Sequence, residues 1–98
     1  MDTLLAPVVS ALTEHHPSDK LENLQRAFLV AKEAHHGQLR KSGEDYITHP
    51  VAVAAILAEF GLNEAVVIAA LLHDTVEDTS YSLTQLRKDF GEEIALLV

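Results

Sequence analysis

An unbroken apolar run at residues 65–72 (AVVIAALL) leads directly into the polar segment of residues 73–78 (HDTVED). Elsewhere apolar residues recur at spacings of three and four, and no strand-like alternation is sustained, so the pattern predicts helices. A helix that is apolar on every side belongs in the middle of a bundle. The chain is therefore predicted to be an all-α bundle of about six helices, with residues 65–72 near its centre.

Turn and capping signals predict where the helices begin and end. The first three helices are predicted over residues 3–14, from 21 to His36 with Gly37 as its stop, and from Pro50 to Phe60. A fourth helix is predicted from a cap at Asn63, a fifth from Ser82 to Phe90, and a sixth from Glu92. Two starts show a capping-box pattern, Asp19 with Glu22 and Ser82 with Gln85. Residues 38–48 are predicted to form a loop.

Composition limits the classes of function. The chain has 98 residues, 48% of them hydrophobic and 22% charged, as expected for one globular domain. Because there is no cysteine, disulfides, thiolate metal sites and cysteine nucleophiles are excluded. The net charge of −8 argues against DNA or RNA as a partner. No apolar run approaches the ~20 residues that cross a membrane. The first residues lack the basic flank and long apolar run of a signal peptide, so a soluble, cytoplasmic protein is expected.

The His73-Asp74 pair is a candidate metal site. A charged aspartate at the end of a buried helix needs a cation, a set of hydrogen-bond donors or access to water. Taken alone, the pair is better explained by a hydrogen-bonded histidine and a capping aspartate than by a metal site. His49 begins the third predicted helix, and in an antiparallel bundle this position can lie beside the end of the fourth. His49, His73 and Asp74 are therefore predicted to share one divalent metal ion.

Further polar residues suit a hydrolytic site. Glu77 and Asp78 lie one turn beyond Asp74 and could orient or deprotonate a water molecule, although two exposed acids before a turn would look the same. Arg40 and Lys41, which stand together in the predicted loop, are either an anion site or solvated surface. His35 could orient another group by hydrogen bonding or could be a satisfied interior histidine.

Two long segments resemble signatures of a known family. Residues 35–50 (HHGQLRKSGEDYITHP) and 71–79 (LLHDTVEDT) resemble, in the same order, the two hydrolase signatures of the RelA/SpoT homologue family. Residues 85–91 (QLRKDFG) resemble the segment that follows them. This resemblance implies an HD-domain helical bundle, with residues 1–98 as its N-terminal part, truncated relative to the full HD domain.

The resemblance also implies an activity. Members hydrolyse the alarmone (p)ppGpp at its 3′-pyrophosphate, releasing pyrophosphate and GDP or GTP, and Mn²⁺ is their usual metal. The family's metal ligands match His49, His73 and Asp74; its catalytic acidic pair matches Glu77 and Asp78; and its loop that contacts the guanosine nucleotide matches Arg40, Lys41 and Ser42. The family's fourth metal ligand is an aspartate in a later helix, beyond position 98.

Alternative functions stay open at this stage. The same metal site could serve an HD-type hydrolase of another nucleotide or phosphoester. The chain could also be a non-catalytic helical module that forms a homo-oligomer through the apolar end of its last helix, residues 95–98 (ALLV). A fragment of a longer bifunctional synthetase/hydrolase, with slight activity by itself, and a small stand-alone hydrolase are both compatible with the sequence.

Overall fold

The computed structural model describes residues 3–17 and 21–98. After a short 3₁₀ turn at Thr3–Leu5, the elements are α1 (Ala6–His15), α2 (Glu22–Ala34), α3 (Thr48–Glu59), α4 (Glu64–Asp78), α5 (Leu83–Phe90) and α6 (Glu92–Leu97). The described residues contain no strand, and their only β-type pairing is an isolated antiparallel bridge between Leu39 and Asp45. The prediction of an all-α bundle of about six helices is confirmed.

Helix α4 lies at the centre of the bundle, where it packs against α2, α3 and α6. No residue from 64 to 72 is exposed, so the apolar run is surrounded as its composition predicts. Leu71 and Leu72 are fully buried, and the next residue, His73, is exposed. The hydrophobic core therefore fixes the point at which the polar end of α4 emerges.

Two predicted caps are observed. The Asn63 side-chain oxygen accepts a hydrogen bond from Val66 N at 3.1 Å, which satisfies a free amide at the start of α4. At the start of α5, Ser82 Oγ accepts from Gln85 N at 3.0 Å. The Gln85 amide bonds to Asp89 and does not return to Ser82, so the reciprocal half of the predicted capping box is not formed. The predicted cap at Asp19 lies outside the described residues.

Three helix boundaries differ from the predictions by two or more residues. Helix α1 begins at Ala6, after the 3₁₀ turn, and not at residue 3. Helix α2 ends at Ala34, earlier than the predicted His36, because the backbone leaves the helix at His35, whose side chain is buried. Helix α3 begins at Thr48, two residues before Pro50, after a turn in which Thr48 Oγ1 donates to the carbonyl of Asp45 at 2.8 Å. A proline in the first helical turn is tolerated because amides there have no partner within the helix.

Some apolar side chains lie on the surface. The core spacing of Phe28, Phe60 and Phe90 predicts three buried rings; Phe28 is buried and Phe90 is partly buried, but Phe60 is 78% exposed because it lies just after the end of α3. In α6, Ile94 is buried and Leu96 is exposed. Homo-oligomerisation through this helix stays a prediction. None of the helices in the described ranges is long and apolar enough to cross a membrane.

Candidate metal centre

The carboxylate of Asp74 is the meeting point of the candidate centre. Its Oδ1 lies 3.3 Å from His73 Nδ1, and its Oδ2 lies 3.6 Å from His49 Nε2. His49 is in the first turn of α3, and the packing of α3 against α4 places it beside the C-terminal end of α4. The three side chains predicted from the sequence to share a metal ion are thus neighbours in space.

Glu77 is in direct contact with the cluster, whereas the sequence predicts only that it lies near the metal ligands. Its Oε2 is 3.8 Å from His73 Nε2, so each ring nitrogen of His73 faces a carboxylate. Potential ligand atoms of His73, Asp74 and Glu77 all lie within 4.8 Å of one another. Glu77, which the resemblance places in the catalytic pair, is therefore also within reach of a ligand role.

The chemistry of these donors suits a divalent cation. Imidazole nitrogens and carboxylate oxygens bind such ions at about 2.0–2.2 Å, so two ligands on opposite sides of one ion lie about 4.2 Å apart. The ligand atoms of His73, Asp74 and Glu77, at separations of up to 4.8 Å, need only small side-chain adjustments to meet that limit. His49 lies outside this group and faces Asp74 at 3.6 Å. The residues present therefore fit a divalent metal, and the absence of cysteine removes any thiolate preference for zinc.

Tyr46 adds a hydrogen-bond donor to this cluster. Its hydroxyl donates to Asp74 Oδ2 at 3.2 Å, the same oxygen that faces His49. Partial burial raises the pKa of Tyr46 above its usual 10.0, and the nearby charge of Asp74 raises it further. The phenol is therefore held as a donor, which helps to orient the Asp74 carboxylate.

The segment that carries Tyr46 is a compact turn. Arg40 N donates to the Glu44 carbonyl and Gly43 N to the Arg40 carbonyl, both at 2.8 Å, and the Leu39–Asp45 bridge closes the segment. Gly43 has a φ of +90°, a conformation in which a side chain would be strained. The long loop expected from sequence is thus a folded hairpin-like turn.

This turn forms one wall of an open groove beside the cluster. The groove has a volume of about 470 Å³ and is lined by Arg40, Lys41, Ser42, Tyr46 and His49. All three residues predicted to bind the nucleotide therefore face one space, although Ser42 Oγ donates to Glu44 of its own turn at 3.2 Å. Arg40 and Lys41 are exposed, which leaves their charges accessible to an anion.

The two carboxylates of the predicted catalytic pair, Glu77 and Asp78, differ in their side-chain contacts. Glu77 contacts His73, but within residues 3–17 and 21–98 the side chain of Asp78 makes no hydrogen bond or ion pair. Both carboxylates are exposed. Asp78 is close enough to Tyr46 to influence that side chain's pKa, so it lies on the same side of the molecule as the cluster.

Two residues that contact the site, Tyr46 and Gln38, are not predicted from the sequence. The sequence pattern does not point to Tyr46, although this residue lies three residues before His49, and it indicates Gln38 only as part of the loop. The side-chain oxygen of Gln38 lies 3.1 Å from His35 Nδ1, and the amide nitrogen of Gln38 donates to the Asp78 carbonyl at 3.5 Å. Only the position of Tyr46, just before the histidine, was a usable signal.

Comparison with known proteins identifies the family. The family model described as "HD domain" matches residues 27–98. The chain is 53% identical over 95 residues to a "Probable GTP pyrophosphokinase" of Mycobacterium leprae and 49% identical over 98 residues to a "GTP pyrophosphokinase" of Streptomyces coelicolor, covering 97% of this chain and 12% of each relative. It is 52% identical over 82 residues, 84% of this chain and 12% of the relative, to the "Bifunctional (p)ppGpp synthase/hydrolase SpoT" of Escherichia coli.

These matches cover most of the chain but little of the relatives. The chain spans about an eighth of the length of these curated proteins. The family match includes α3, α4 and the turn between α2 and α3, which are the elements that carry the cluster and the groove. The resemblance inferred from the two signatures is confirmed, and the chain belongs to the HD domain family in a form that it shares with proteins of the RelA/SpoT type.

Proposed function

We propose that this chain is the metal-binding part of a hydrolase that removes the 3′-pyrophosphate of ppGpp and pppGpp, leaving GDP and GTP. One observation carries the proposal: His49 belongs both to the imidazole–carboxylate cluster and to the wall of the groove that Arg40, Lys41 and Ser42 line. The candidate cation site and two positive side chains therefore face the same space. The relative from Escherichia coli is named a (p)ppGpp synthase/hydrolase, which supports the same substrate.

The proposed metal ligands are His49, His73 and Asp74, and the proposed ion is Mn²⁺, which accepts both imidazole and carboxylate donors. Once bound, a divalent cation would neutralise charge on the phosphates and make water a stronger acid. Tyr46 would keep Asp74 Oδ2 oriented, because its hydroxyl already donates to that oxygen.

Asp78 is the better proposed base of the acidic pair. Its exposed carboxylate has no side-chain partner among the described residues, whereas Glu77 faces His73 at 3.8 Å. A carboxylate without a partner can accept a proton without first breaking a contact. Glu77 is then proposed to orient His73 or the attacking water.

The proposed reaction is a single displacement at phosphorus. A water oxygen bonds to the phosphorus attached to ribose O3′, and the bond between that phosphorus and O3′ breaks. The carboxylate of Asp78 accepts a proton from the water. O3′ takes up a proton from solvent and leaves as the hydroxyl of GDP or GTP, the two phosphates leave together as pyrophosphate, and Asp78 returns its proton to solvent.

The turn between α2 and α3, called the basic turn because it carries Arg40 and Lys41, is proposed to bind the nucleotide. The planar guanidinium of Arg40 can stack on a purine or pair with a phosphate, and the ammonium of Lys41 can neutralise phosphate charge. Ser42 can contribute a hydroxyl once the contact with Glu44 is exchanged. In a chain of net charge −8, this local positive charge is needed to bring a polyanion beside acidic residues.

Pyrophosphate release from ppGpp in the presence of Mn²⁺ tests the proposal, using the protein as its gene encodes it. His73→Ala should abolish the activity and weaken Mn²⁺ binding. His36→Ala, which removes an exposed imidazole from a nearby position, is the matched control and should change neither. Full activity in His73→Ala would disprove the metal assignment.

The substrate assignment has a separate test. Arg40→Ala and Lys41→Ala should each raise KM for ppGpp about tenfold or more, since a hydrogen bond to a charged group is worth about 1.5–3 kcal/mol. Lys88→Ala on α5 removes an exposed positive charge elsewhere and serves as the control. An unchanged KM in Arg40→Ala would favour another nucleotide or phosphoester as the substrate.

A further inference from the structure

His35 is buried at the point where α2, the basic turn and the end of α4 meet. Only 3% of the residue is exposed, and both of its ring nitrogens have partners. Nδ1 lies 3.1 Å from the side-chain oxygen of Gln38, and Nε2 lies 3.2 Å from the hydroxyl of Thr75. Thr75 is fully buried and directly follows Asp74.

The directions of these bonds define one arrangement of protons. The amide nitrogen of Gln38 donates to the Asp78 carbonyl, so the amide oxygen must face His35. An oxygen acceptor at that distance requires a proton on Nδ1, because two lone pairs would otherwise repel. With the proton on Nδ1, an unprotonated Nε2 can accept from the Thr75 hydroxyl, and this single tautomer satisfies every group in the chain of bonds.

This chain of bonds holds the end of α4 at two points. Thr75 and Asp78 are one turn apart on α4, and His35 reaches the first directly and the second through Gln38. The same imidazole also packs on the ring of Tyr46, with 4.7 Å between ring centroids. Tyr46 in turn donates to Asp74, so both sides of the candidate centre are linked to one buried side chain.

We propose that His35 is a positioning residue, whose neutral ring in its Nδ1–H form sets the relative placement of Asp74, Asp78 and the Tyr46 hydroxyl. This inference rests on the proposed function, since it concerns how well the same cluster holds a divalent cation. Partners that orient a metal ligand typically change metal affinity or activity 10–100-fold when removed. His35 contacts none of the proposed ligands directly and acts through Thr75, Gln38 and Tyr46.

The test measures Mn²⁺ affinity by electron paramagnetic resonance of the free ion, with no substrate present. His35→Ala should weaken Mn²⁺ binding about tenfold, and His36→Ala should leave it unchanged. Thr75→Val preserves side-chain shape and removes only the hydroxyl, so it provides a second variant if His35→Ala does not fold. It should weaken binding about threefold. Adding Thr75→Val to His35→Asn should weaken binding no further than His35→Asn alone, because the bond between His35 and Thr75 is already lost in that variant.

Nitrogen-15 spectra of the ring add a readout on the unsubstituted protein, where His35 should show a protonated Nδ1 and an unprotonated Nε2. The opposite tautomer would overturn the proposal. So would an unchanged Mn²⁺ affinity in folded Thr75→Val, while the proposed hydrolase would survive that result. If the unsubstituted protein binds no Mn²⁺, the proposed function fails together with the role of His35. Failure of the proposed function is thus distinguishable from failure of the His35 proposal alone.

Discussion

Tyr46→Phe is the substitution that tests the candidate centre most directly. It removes the hydroxyl that donates to Asp74 Oδ2 at 3.2 Å and keeps the ring that packs on His35 and His49. A hydrogen bond to a charged group contributes about 1.5–3 kcal/mol. Because the Asp74 side chain is 21% exposed, water can replace part of the lost bond, and we expect a loss of about 1 kcal/mol.

Urea unfolding followed by circular dichroism, with chelator present to remove bound metal, measures this loss. For a chain of this size the urea slope is about 1 kcal/mol per molar, so the midpoint should fall by about 1 M. Tyr46→Leu also removes the ring and should lose about 0.5–1.5 kcal/mol more, which separates the ring from the hydroxyl. A midpoint in Tyr46→Phe within 0.2 M (about 0.2 kcal/mol) of the unsubstituted protein would refute the role assigned to the hydroxyl.

Three other substitutions test the elements around the site. Asn63→Ala should cost about 1 kcal/mol in urea unfolding and Asn63→Ser little, since serine also caps; equal midpoints would contradict the cap. Burial, and then the bond to Asp89, raise the pKa of Tyr81, so its contribution is fully present below pH 10.0 and is lost at higher pH. The alkaline fall in stability should therefore be shallower in Tyr81→Phe, and parallel curves would contradict this. Asp78→Asn should raise stability in thermal melts without metal by about 0.3–1 kcal/mol at low salt, and a lower melting temperature would count against the reasoning.

Much of the fold could be predicted because α4 has a strong signal. An apolar run with no polar side must be buried, and its end then fixes where His73 and Asp74 emerge. The proximity of His49 to Asp74 also follows from sequence, because α3 and α4 are joined by only four residues and must pack side by side. These inferences depend on periodicity and connection length, which a single sequence shows directly.

The contacts of the turn between α2 and α3 could not be predicted in this way. Gln38 and Tyr46 reach α4 only because the segment folds back on itself, with Tyr46 N donating to the Gln38 carbonyl at 2.9 Å. Nothing in the spacing of these residues specifies that register. For His35 the sequence left two roles open, an interior histidine with its bonds satisfied or one that orients other groups, and the structure shows that the first does not exclude the second.

The acidic end of α4 is difficult to explain by stability alone. Asp74, Glu77 and Asp78 lie in its last five residues, and its last turn contains no basic residue. The C-terminus of a helix carries partial negative charge, so carboxylates there are unfavourable and cations favourable. Helix α5 of the same chain has the favourable pattern, with Arg87 and Lys88 in its last turn. A divalent cation held by Asp74 would offset this unfavourable charge. Neutralising Asp78, which has no side-chain partner among the described residues, should therefore stabilise the metal-free protein and at the same time remove the proposed hydrolytic activity.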